Sequence, residues 1–353
     1  MVKFIHTADI HLASPMRGLP AGKGEERRRE LRATFGRIAS FASKEGYRAV
    51  LLSGDVFDAD RPLKKDKEYF FNTVKSHPGV DFLYLRGNHD RGGAYEESLP
   101  NLKTFSDRWT YYDYSDAMIA GIELTADNAL SFYSTLSLNP LKTNIVMLHG
   151  QLSEGAGEGL INLARLRGKH IDYLALGHVH SFKSGRIDER GVYAYCGTPE
   201  PRGFDETGVK GIITLDCTGT VKSAFVPFSS RTVREMQIDL STCADWATAL
   251  GFVKNSVPDC RGDMVKIILK GNVAFDSSGL AEDVLKELEP RLYCVRVTDA
   301  TLPAVDVQRL SREKGLRGAF VNAVLARGDL SPEEKLRVIL IGVRAMEGRE
   351  EDI

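Results

Sequence analysis

The stretch that most constrains this chain is residues 50–58, which read VLLSGDVFD. A short apolar run that is bounded by a glycine predicts a buried strand of a parallel sheet. In open α/β sheets, reactive groups collect in the crevice beyond the carboxyl ends of the strands. Asp55 directly follows Gly54, so it lies where we expect chemistry to take place.

Four further predicted strands also end in acids, amides or imidazoles. They cover residues 2–7, 80–85, 143–148 and 171–176, and the motifs that follow them are Asp9-Ile10-His11, Gly87-Asn88-His89-Asp90, His149-Gly150 and Gly177-His178-Val179-His180. Apolar residues recur at helical spacing over 25–44, and a second helix is predicted over 64–75. Strands that alternate with helices imply right-handed crossovers and a layered α/β domain.

The pattern predicts three regions along the chain. Residues 1–230 hold the α/β pattern, and their last part, 184–228, is strand-like with tight turns that extend the sheet. Residues 231–302 show a β-α-β-α-β pattern typical of a small second domain. Residues 303–353 are predicted to be helical, because Ser331 and the proline and glutamates after it form an N-terminal capping pattern before an apolar stripe.

Length, charge and cysteine content limit the class of protein. A chain of 353 residues is too long for one ordinary core, which favours two domains or a domain with appendages. The net charge of −1 means that a polyanion would be held by a local site rather than by a general basic field. Five scattered cysteines without a C-x-x-C pair suit a reducing compartment. With no signal-peptide pattern and no apolar run of membrane-spanning length, we expect a soluble, cytoplasmic protein.

The motifs together supply seven oxygen and nitrogen donors: Asp9, His11, Asp55, Asn88, His149, His178 and His180. Such a set can hold two divalent ions with one carboxylate bridging them. Two ions roughly 3.5–4 Å apart stabilise the attacking and leaving oxygens of a phosphoryl displacement. Mixed carboxylate, amide and imidazole donors without thiolate suit manganese or iron better than structural zinc.

Each motif alone also fits an ordinary structural role. Asp-x-His after a strand can be a polar loop, Gly-Asp and Gly-Asn-His-Asp can be turns, and a lone histidine is more often solvated or satisfied than a ligand. His178 and His180 are stronger candidates, because alternate residues of an extended segment face the same side. The motifs taken together favour a functional site, because five of the eight histidines follow predicted strands: His11, His89, His149, His178 and His180.

In this order, Asp9-x-His11, Gly54-Asp55-x-x-Asp58, Gly87-Asn88-His89-Asp90, His149 and Gly177-His178-x-His180 resemble the motifs of the calcineurin-like metallophosphoesterase superfamily. The segments HTADIHL (6–12), GDVFD (54–58), YLALGHVH (173–180) and GTPEP (197–201) resemble the bacterial DNA-repair exonuclease branch, the SbcD-type nucleases. The resemblance implies an α/β fold with a layered β-sandwich core flanked by helices. It also implies a small α+β capping domain and a helical C-terminal tail.

The resemblance further implies a role for each candidate residue. Asp9, His11, Asp55 and His180 would hold one metal ion, and Asp55, Asn88, His149 and His178 the other, with Asp55 as the bridge. His89 would face the scissile phosphate, and Asp58 would orient His89 and raise its basicity. Asp90 is a weaker candidate for that orienting role. The ions would be Mn²⁺ first, with Fe²⁺ or Mg²⁺ as alternatives.

For activity, the resemblance implies a DNA exonuclease, with endonuclease activity besides, that acts in double-strand break repair with an SMC-like ATPase subunit of the SbcC type. The C-terminal helices could dock that partner or pack on their own domain, and a homodimer is a further expectation. Four arginines beside the motifs are candidates for substrate phosphates, although ordinary solvated arginine is an equal alternative: Arg61, Arg86, Arg91 and Arg202. The alternatives are a nucleotide or small-molecule phosphodiesterase and a noncatalytic adaptor of a coiled-coil ATPase.

Overall fold

The fold is taken from a computed structural model of the chain. It describes residues 2–20, 22–58, 62–90, 98–155, 157–304 and 307–346, apart from the side chains at 333 and 344. The chain divides into two compact units, residues 1–234 with 262–264, and residues 235–261 with 265–353. Within the described residues, no helix has the length and apolar character needed to cross a bilayer.

The strands of the first unit supply most of its regular structure. Their bounds are β1 Lys3–Thr7, β2 Ala49–Ser53, β3 Asp81–Leu85, β4 Leu102–Thr104, β5 Thr110–Tyr114, β6 Ala117–Gly121, β7 Thr143–His149, β8 Gln151–Leu152, β9 Leu160–Ile161, β10 Tyr173–Gly177, β11 Lys183–Arg186, β12 Val192–Tyr195, β13 Gly211–Asp216 and β14 Lys222–Pro227. Its helices are α1 Lys23–Lys44, α2 Lys64–Lys75 and α3 Phe132–Thr135, with a 3-10 turn at Leu163–Leu166.

Two six-stranded sheets form the body of the first unit, and β8 and β9 pair as a separate two-stranded sheet. One has the order β14-β13-β1-β2-β3-β4, in which β1 to β4 are parallel; the other has the order β11-β12-β10-β7-β6-β5, in which β12, β10, β7 and β6 are parallel. The parallel centre of each sheet is buried on both faces, which explains its unbroken apolar runs. Parallel strands also place all their carboxyl ends at one edge of each sheet.

Apolar side chains fill three layers between these elements. Phe4, Leu51 and Leu83 of the first sheet pack with Met147 and Tyr173 of the second, so the two sheets form a sandwich. A second cluster fills the space between the first sheet and the helices α1 and α2, and a third covers the outer face of the second sheet. The result is a layered β-sandwich flanked by helices, which confirms the predicted α/β fold class.

His6 connects the two sheets inside this core. The residue is fully buried on β1, and its Nδ1 lies 2.9 Å from the hydroxyl of Tyr173 on β10. Burial lowers the pKa of His6 from its ordinary value of 6.5 to about 3. Between these two pH values the unfolded chain binds a proton at His6 that the folded protein does not bind, so acid destabilises the fold.

We therefore expect the free energy of unfolding to fall below pH 6.5 because of this one group, by about 2 kcal/mol at pH 5. His6→Gln removes the titrating group, so its stability should change less than that of the wild type between pH 7.5 and pH 5 in urea denaturation. His170→Gln, at an exposed position, is the control and should keep the wild-type pH dependence. An unchanged pH dependence in His6→Gln would contradict the assignment to His6.

The second unit combines a small sheet with helices. Its elements are β15 Val233–Asp239, α4 Trp246–Ser256, β16 Met264–Val273, α5 Leu280–Leu288, a 3-10 turn at Glu289–Arg291, β17 Cys294–Pro303, α6 Val307–Ser311, α7 Leu316–Leu325 and α8 Pro332–Met346. The strands β15, β16 and β17 form one sheet in that order, and α4 and α5 share a buried cluster with it. This arrangement matches the β-α-β-α-β pattern of the sequence.

The last three helices pack on one another. Leu310, Val321, Ile339 and Val343 are buried in a common cluster. Part of the predicted apolar stripe of α8 is thus covered by α6 and α7. The division into nuclease, capping and C-terminal helical regions at 230 and 302 stays a prediction.

Some local predictions need correction. The helix expected around 160–167 is a short strand followed by a 3-10 turn. Residues 100–141 had no firm prediction, and they carry β4, β5, β6 and α3. These elements are short, and β5 alternates between exposed and partly buried residues, which leaves a weak apolar pattern in the sequence.

Candidate metal centre and cleft

The candidate ligands lie at the carboxyl ends of five parallel strands. Asp9 and His11 follow β1, Asp55 follows β2 and Asn88 follows β3. The second sheet supplies His149 at the end of β7, and His178 and His180 just after β10. The two sheets of the sandwich therefore bring together donors that are far apart in sequence.

Strained backbone marks this edge. Asp9, His11 and Asp55 have φ angles of 52°, 51° and 51°, and His178 has a φ of 100°, in a region that residues other than glycine rarely occupy. Such conformations cost roughly 1–3 kcal/mol each and persist where the surroundings fix them, often at functional sites. Four of the seven predicted ligands thus have an unfavourable backbone conformation.

Two glycines of the motifs leave room for ligand side chains. A Cβ atom at Gly87 would lie 2.1 Å from Oδ1 of Asp55, and a Cβ at Gly54 would lie 2.1 Å from Nδ1 of His149. Gly54 also has a φ of 94°, which L side chains rarely adopt. Gly54 and Gly87 must therefore be glycines, because a Cβ atom at either position would collide with a candidate ligand. The backbone conformation of Gly54 also favours glycine.

The first group of donors consists of Asp9, His11 and His180. One donor atom from each lies within 4.8 Å of the other two, and the Nε2 atoms of the two histidines are 3.2 Å apart. The backbone N–H of His178 donates to both carboxylate oxygens of Asp9 at 3.0 Å, which fixes that carboxylate. Asp9 and His11 are fully buried, so they form the floor of the site.

The second group consists of Asp55, Asn88, His149 and His178. Nε2 of His149 lies 3.2 Å from Oδ2 of Asp55 and 3.0 Å from Oδ1 of Asn88, and Nδ1 of His178 lies 3.1 Å from the same amide oxygen. Oδ2 of Asp55 is also 3.9 Å from Nε2 of His11, so this carboxylate lies between the two groups. The assignment of these residues to two ions stays a prediction, and this arrangement supports it.

The electrostatics favour a cation at the floor of the site. Burial alone would raise the pKa of Asp55, but the hydrogen bond and charge of His149, with His11 beside it, hold it well below its usual range. Burial opposes a charge on His149, yet Asp55 and Asp9 outweigh burial and raise the pKa of His149 to about 9. The two carboxylates therefore favour a positive charge at this place.

The donor set fits divalent ions. Asp9, Asp55 and His149 also present donor atoms within 4.8 Å of one another, so carboxylates and imidazoles from both groups surround a common space. Carboxylate, amide and imidazole donors suit manganese, iron or zinc at a catalytic site. The donor set is thus compatible with divalent ions, and its division between two ions stays a prediction.

His89 and Asp58 lie beside the donors. The side chain of His89 is 48% exposed and lines a cleft of about 370 Å³, together with Asp58. Oδ1 of Asp58 lies 2.9 Å from Nδ1 of His11 and 3.5 Å from Nδ1 of His89, so Asp58 contacts the candidate ligand His11 more closely than His89. Donor atoms of these three residues also lie within 4.8 Å of one another. Asp90 is buried and accepts hydrogen bonds from the backbone N–H groups of Val56 and Gly87, which is a structural role.

The predicted substrate-binding arginines have different surroundings. Arg86 makes a two-pronged ion pair with Glu123, at 2.9 and 2.7 Å. Arg202 lines the cleft and donates to Glu206 at 2.9 and 2.8 Å. Arg61 and Arg91 lie outside the described residues.

The sequence did not single out two residues of the cleft. Glu206 is 5% exposed, and its Oε1 lies 3.0 Å from Nδ1 of His180. Arg17 is exposed at the cleft, and its side chain makes no hydrogen bond or ion pair with the described part of the chain. Neither residue belongs to a motif with recognisable spacing, so only the folded chain shows their proximity to the site.

The chain is similar to several known proteins. The family model for calcineurin-like phosphoesterases matches residues 2–182. The DNA double-strand break repair protein Mre11 of Saccharolobus solfataricus is 25% identical over 386 aligned residues, which cover 99% of this chain and 96% of that protein.

Two further similarities are lower or shorter. The uncharacterized metallophosphoesterase YhaO of Bacillus subtilis is 26% identical over 300 residues, which cover 76% of this chain and 71% of that protein. The crystal structure of TT1561 of Thermus thermophilus aligns with a TM-score of 0.43 and 15% identity over 64% of this chain and 98% of that one.

Proposed function

The chain belongs to the calcineurin-like phosphoesterase family, which implies metal-dependent phosphoester hydrolysis, and from this premise we propose that it cleaves DNA phosphodiester bonds with two divalent ions. The observation that carries the proposal is the convergence of seven donors from five strand ends, with Asp55 between two groups. When bound, the ions would supply Lewis-acid stabilisation of the charge that develops on the phosphoryl oxygens.

The side chains around the donors have separate tasks in this proposal. Asp9, His11 and His180 would hold one ion, and Asn88, His149 and His178 the other, with Asp55 shared. His89 is exposed at the cleft, where its ring can stabilise the phosphoryl group in the transition state or donate a proton to the leaving oxygen. Asp58 would orient both His11 and His89, because one of its oxygens lies near a ring nitrogen of each.

DNA as substrate is supported by relatives named as double-strand break repair proteins. On that basis we propose an exonuclease with endonuclease activity, with Mn²⁺ as its ion and an SMC-like ATPase as its partner. Residues 231–302 would guide DNA. The C-terminal helices would dock the partner, and exposed Leu316 and Ile341 give them apolar surface for it. We further propose a homodimer, and a cytoplasmic location in keeping with the five scattered cysteines.

Arg17 is our candidate for a contact with a phosphate beside the cleaved one, because it is an exposed cation at the cleft. We expect Arg17→Ala to weaken DNA binding and to lower the slope of log affinity against log salt by about one unit. Fluorescence anisotropy with a labelled duplex at several salt concentrations measures both. Arg29→Ala, whose side chain is 73% exposed on α1, is the matched loss of charge, and an equal effect there would remove the special role of Arg17.

The deciding experiment uses end-labelled single- and double-stranded DNA with Mn²⁺, Mg²⁺ or chelator, alone and with a candidate ATPase. Cleavage that depends on Mn²⁺ and stops with chelator is the expected result. Hydrolysis of a chromogenic phosphodiester without cleavage of either DNA would indicate a small-molecule phosphodiesterase instead. Absence of bound metal in elemental analysis, with no hydrolysis of any substrate, would indicate a noncatalytic adaptor.

A further inference from the structure

A set of charged side chains surrounds the histidines of the first donor group. His11 and His180 face each other through Nε2, and each has a carboxylate at its other ring nitrogen. Asp58 lies 2.9 Å from Nδ1 of His11, and Glu206 lies 3.0 Å from Nδ1 of His180. A carboxylate in this position fixes the tautomer, aims Nε2 at the ion and makes the imidazole a stronger ligand.

Arg202 joins the two carboxylates. Its Nε and one terminal nitrogen donate to Oε1 of Glu206 at 2.9 and 2.8 Å, and its other terminal nitrogen lies 3.4 Å from Oδ1 of Asp58. The terminal nitrogen that donates to Glu206 also lies 3.0 Å from Nδ1 of His180, so this ring nitrogen has both the carboxylate and the guanidinium beside it. Glu206 is nearly fully buried. The guanidinium of Arg202 compensates the charge of this carboxylate, and the two hydrogen bonds between them restrict the position of the carboxylate. The guanidinium thus holds both orienting groups in one frame.

The segment that carries Arg202 and Glu206 is itself anchored in the core. Glu200 and Arg27 are both fully buried and form an ion pair of 2.7 Å, and Arg27 also donates to the carbonyl oxygen of Pro201 at 2.6 Å. At the other end, the ammonium of Lys210 donates to the backbone carbonyl of His180 at 2.7 Å. A frame supported in this way can hold a ligand within a narrow range of positions.

The second donor group is held differently. Nδ1 of His149 lies 2.9 Å from the carbonyl oxygen of Ser53. Nδ1 of His178 faces Oδ1 of Asn88, which is itself a donor of this group, so that contact joins two donor atoms. The ring of His149 is therefore oriented by a backbone dipole, whereas His11 and His180 each have a carboxylate at Nδ1. This difference distinguishes the two halves of the site.

We propose that the two halves bind divalent ions unequally, with the Asp9, His11 and His180 half as the tighter site, and that Glu206 and Arg202 are positioning residues for it. This inference rests on the proposed two-metal function and adds an order of binding to it. The tighter half would fill first, and the other half would fill at higher concentrations of the ion.

Titration of the metal-free full chain with Mn²⁺, monitored by calorimetry and by the EPR signal of free Mn²⁺, tests the proposal. We expect two unequal sites in the wild type and loss of the tighter one in His180→Gln. In Glu206→Gln, the tighter site should weaken by about 10–100-fold while the weaker site keeps its affinity. A merely structural role of Glu206 would lower both affinities together, and that result would overturn the proposal.

Asp205→Asn is the matched control, because Asp205 is an exposed carboxylate that lines the same cleft. This variant should bind Mn²⁺ at both sites with the affinities of the wild type. Should Glu206→Gln fail to fold by circular dichroism, Arg202→Gln tests the same frame, with the same selective weakening expected. Two equal sites in the wild type, or unchanged binding in a folded variant, would overturn the inference alone. A wild type that binds no Mn²⁺ would overturn the proposed function itself.

Discussion

Asp55→Asn should abolish metal-dependent cleavage of DNA while leaving the protein folded. Asp55 is the carboxylate between the two donor groups, with Oδ2 3.2 Å from His149 and 3.9 Å from His11. The amide is nearly the same size but has no charge, and its nitrogen cannot act as a ligand. Loss of outer partners of a metal site costs about 10–100-fold, so loss of a shared ligand should cost more than that in kcat/KM.

The measurement is cleavage of end-labelled DNA with Mn²⁺, together with the metal content of the purified variant. We expect fewer than two ions per chain, because one negative charge between the ions is lost. Asp113 is an exposed carboxylate on β5 that pairs with Lys142. Asp113→Asn therefore controls for the loss of a charge and should cleave DNA as the wild type does. Wild-type turnover by folded Asp55→Asn would refute the bridging role.

The position of the candidate ligands at strand ends could be predicted from the sequence, because each motif follows a strand with a strong apolar pattern. A buried parallel strand can be recognised from a short apolar run in the sequence, and the residues that follow the run must lie at the carboxyl end of the strand. The rule that carboxyl ends of parallel strands meet at one edge then places Asp9, Asp55 and Asn88 together. That His149 and His180 join them from a second sheet depended on the resemblance to a family rather than on periodicity.

The surroundings of the ligands could not be predicted in the same way. Glu206 contacts His180 from a separate loop, and Arg202 reaches Asp58 from 144 positions further along the chain. Such contacts depend on how loops pack, and no spacing in the sequence encodes them. Arg86 illustrates the same limit, because its pairing with Glu123 is set by the position of a segment for which the sequence had no firm prediction.

The contact of Asp58 adds a point that the motif alone does not show. The family resemblance implies that Asp58 orients His89, and the structure places Asp58 nearer to His11. A residue between a ligand and a catalytic candidate affects both metal binding and rate when it is replaced. Replacement of His89 itself is therefore the cleaner way to examine the chemical step.

His89→Gln should leave both ions bound and lower kcat by about 10²–10⁴-fold, the usual contribution of a positioned acid or base. His89 belongs to neither donor group, and its side chain is about half exposed at the cleft, although its ring has a donor atom within 4.8 Å of donor atoms of His11 and Asp58. Metal analysis and Mn²⁺-dependent cleavage measure the two quantities separately. His77→Gln, a histidine on the α2 side of the first sheet, is the control and should behave as the wild type. Loss of an ion in His89→Gln would make His89 a ligand instead.

The choice of substrate then separates the two tasks that His89 can perform. DNA has a poor leaving group that needs a proton, whereas a nitrophenyl phosphodiester has a leaving group that departs without one. If His89 donates that proton, the loss of rate in His89→Gln should be large for DNA and nearly absent for the nitrophenyl ester. If it stabilises charge on the phosphoryl oxygens, both substrates should lose rate to a similar extent. If His89→Gln cleaves both substrates at wild-type rates, both tasks are excluded for His89.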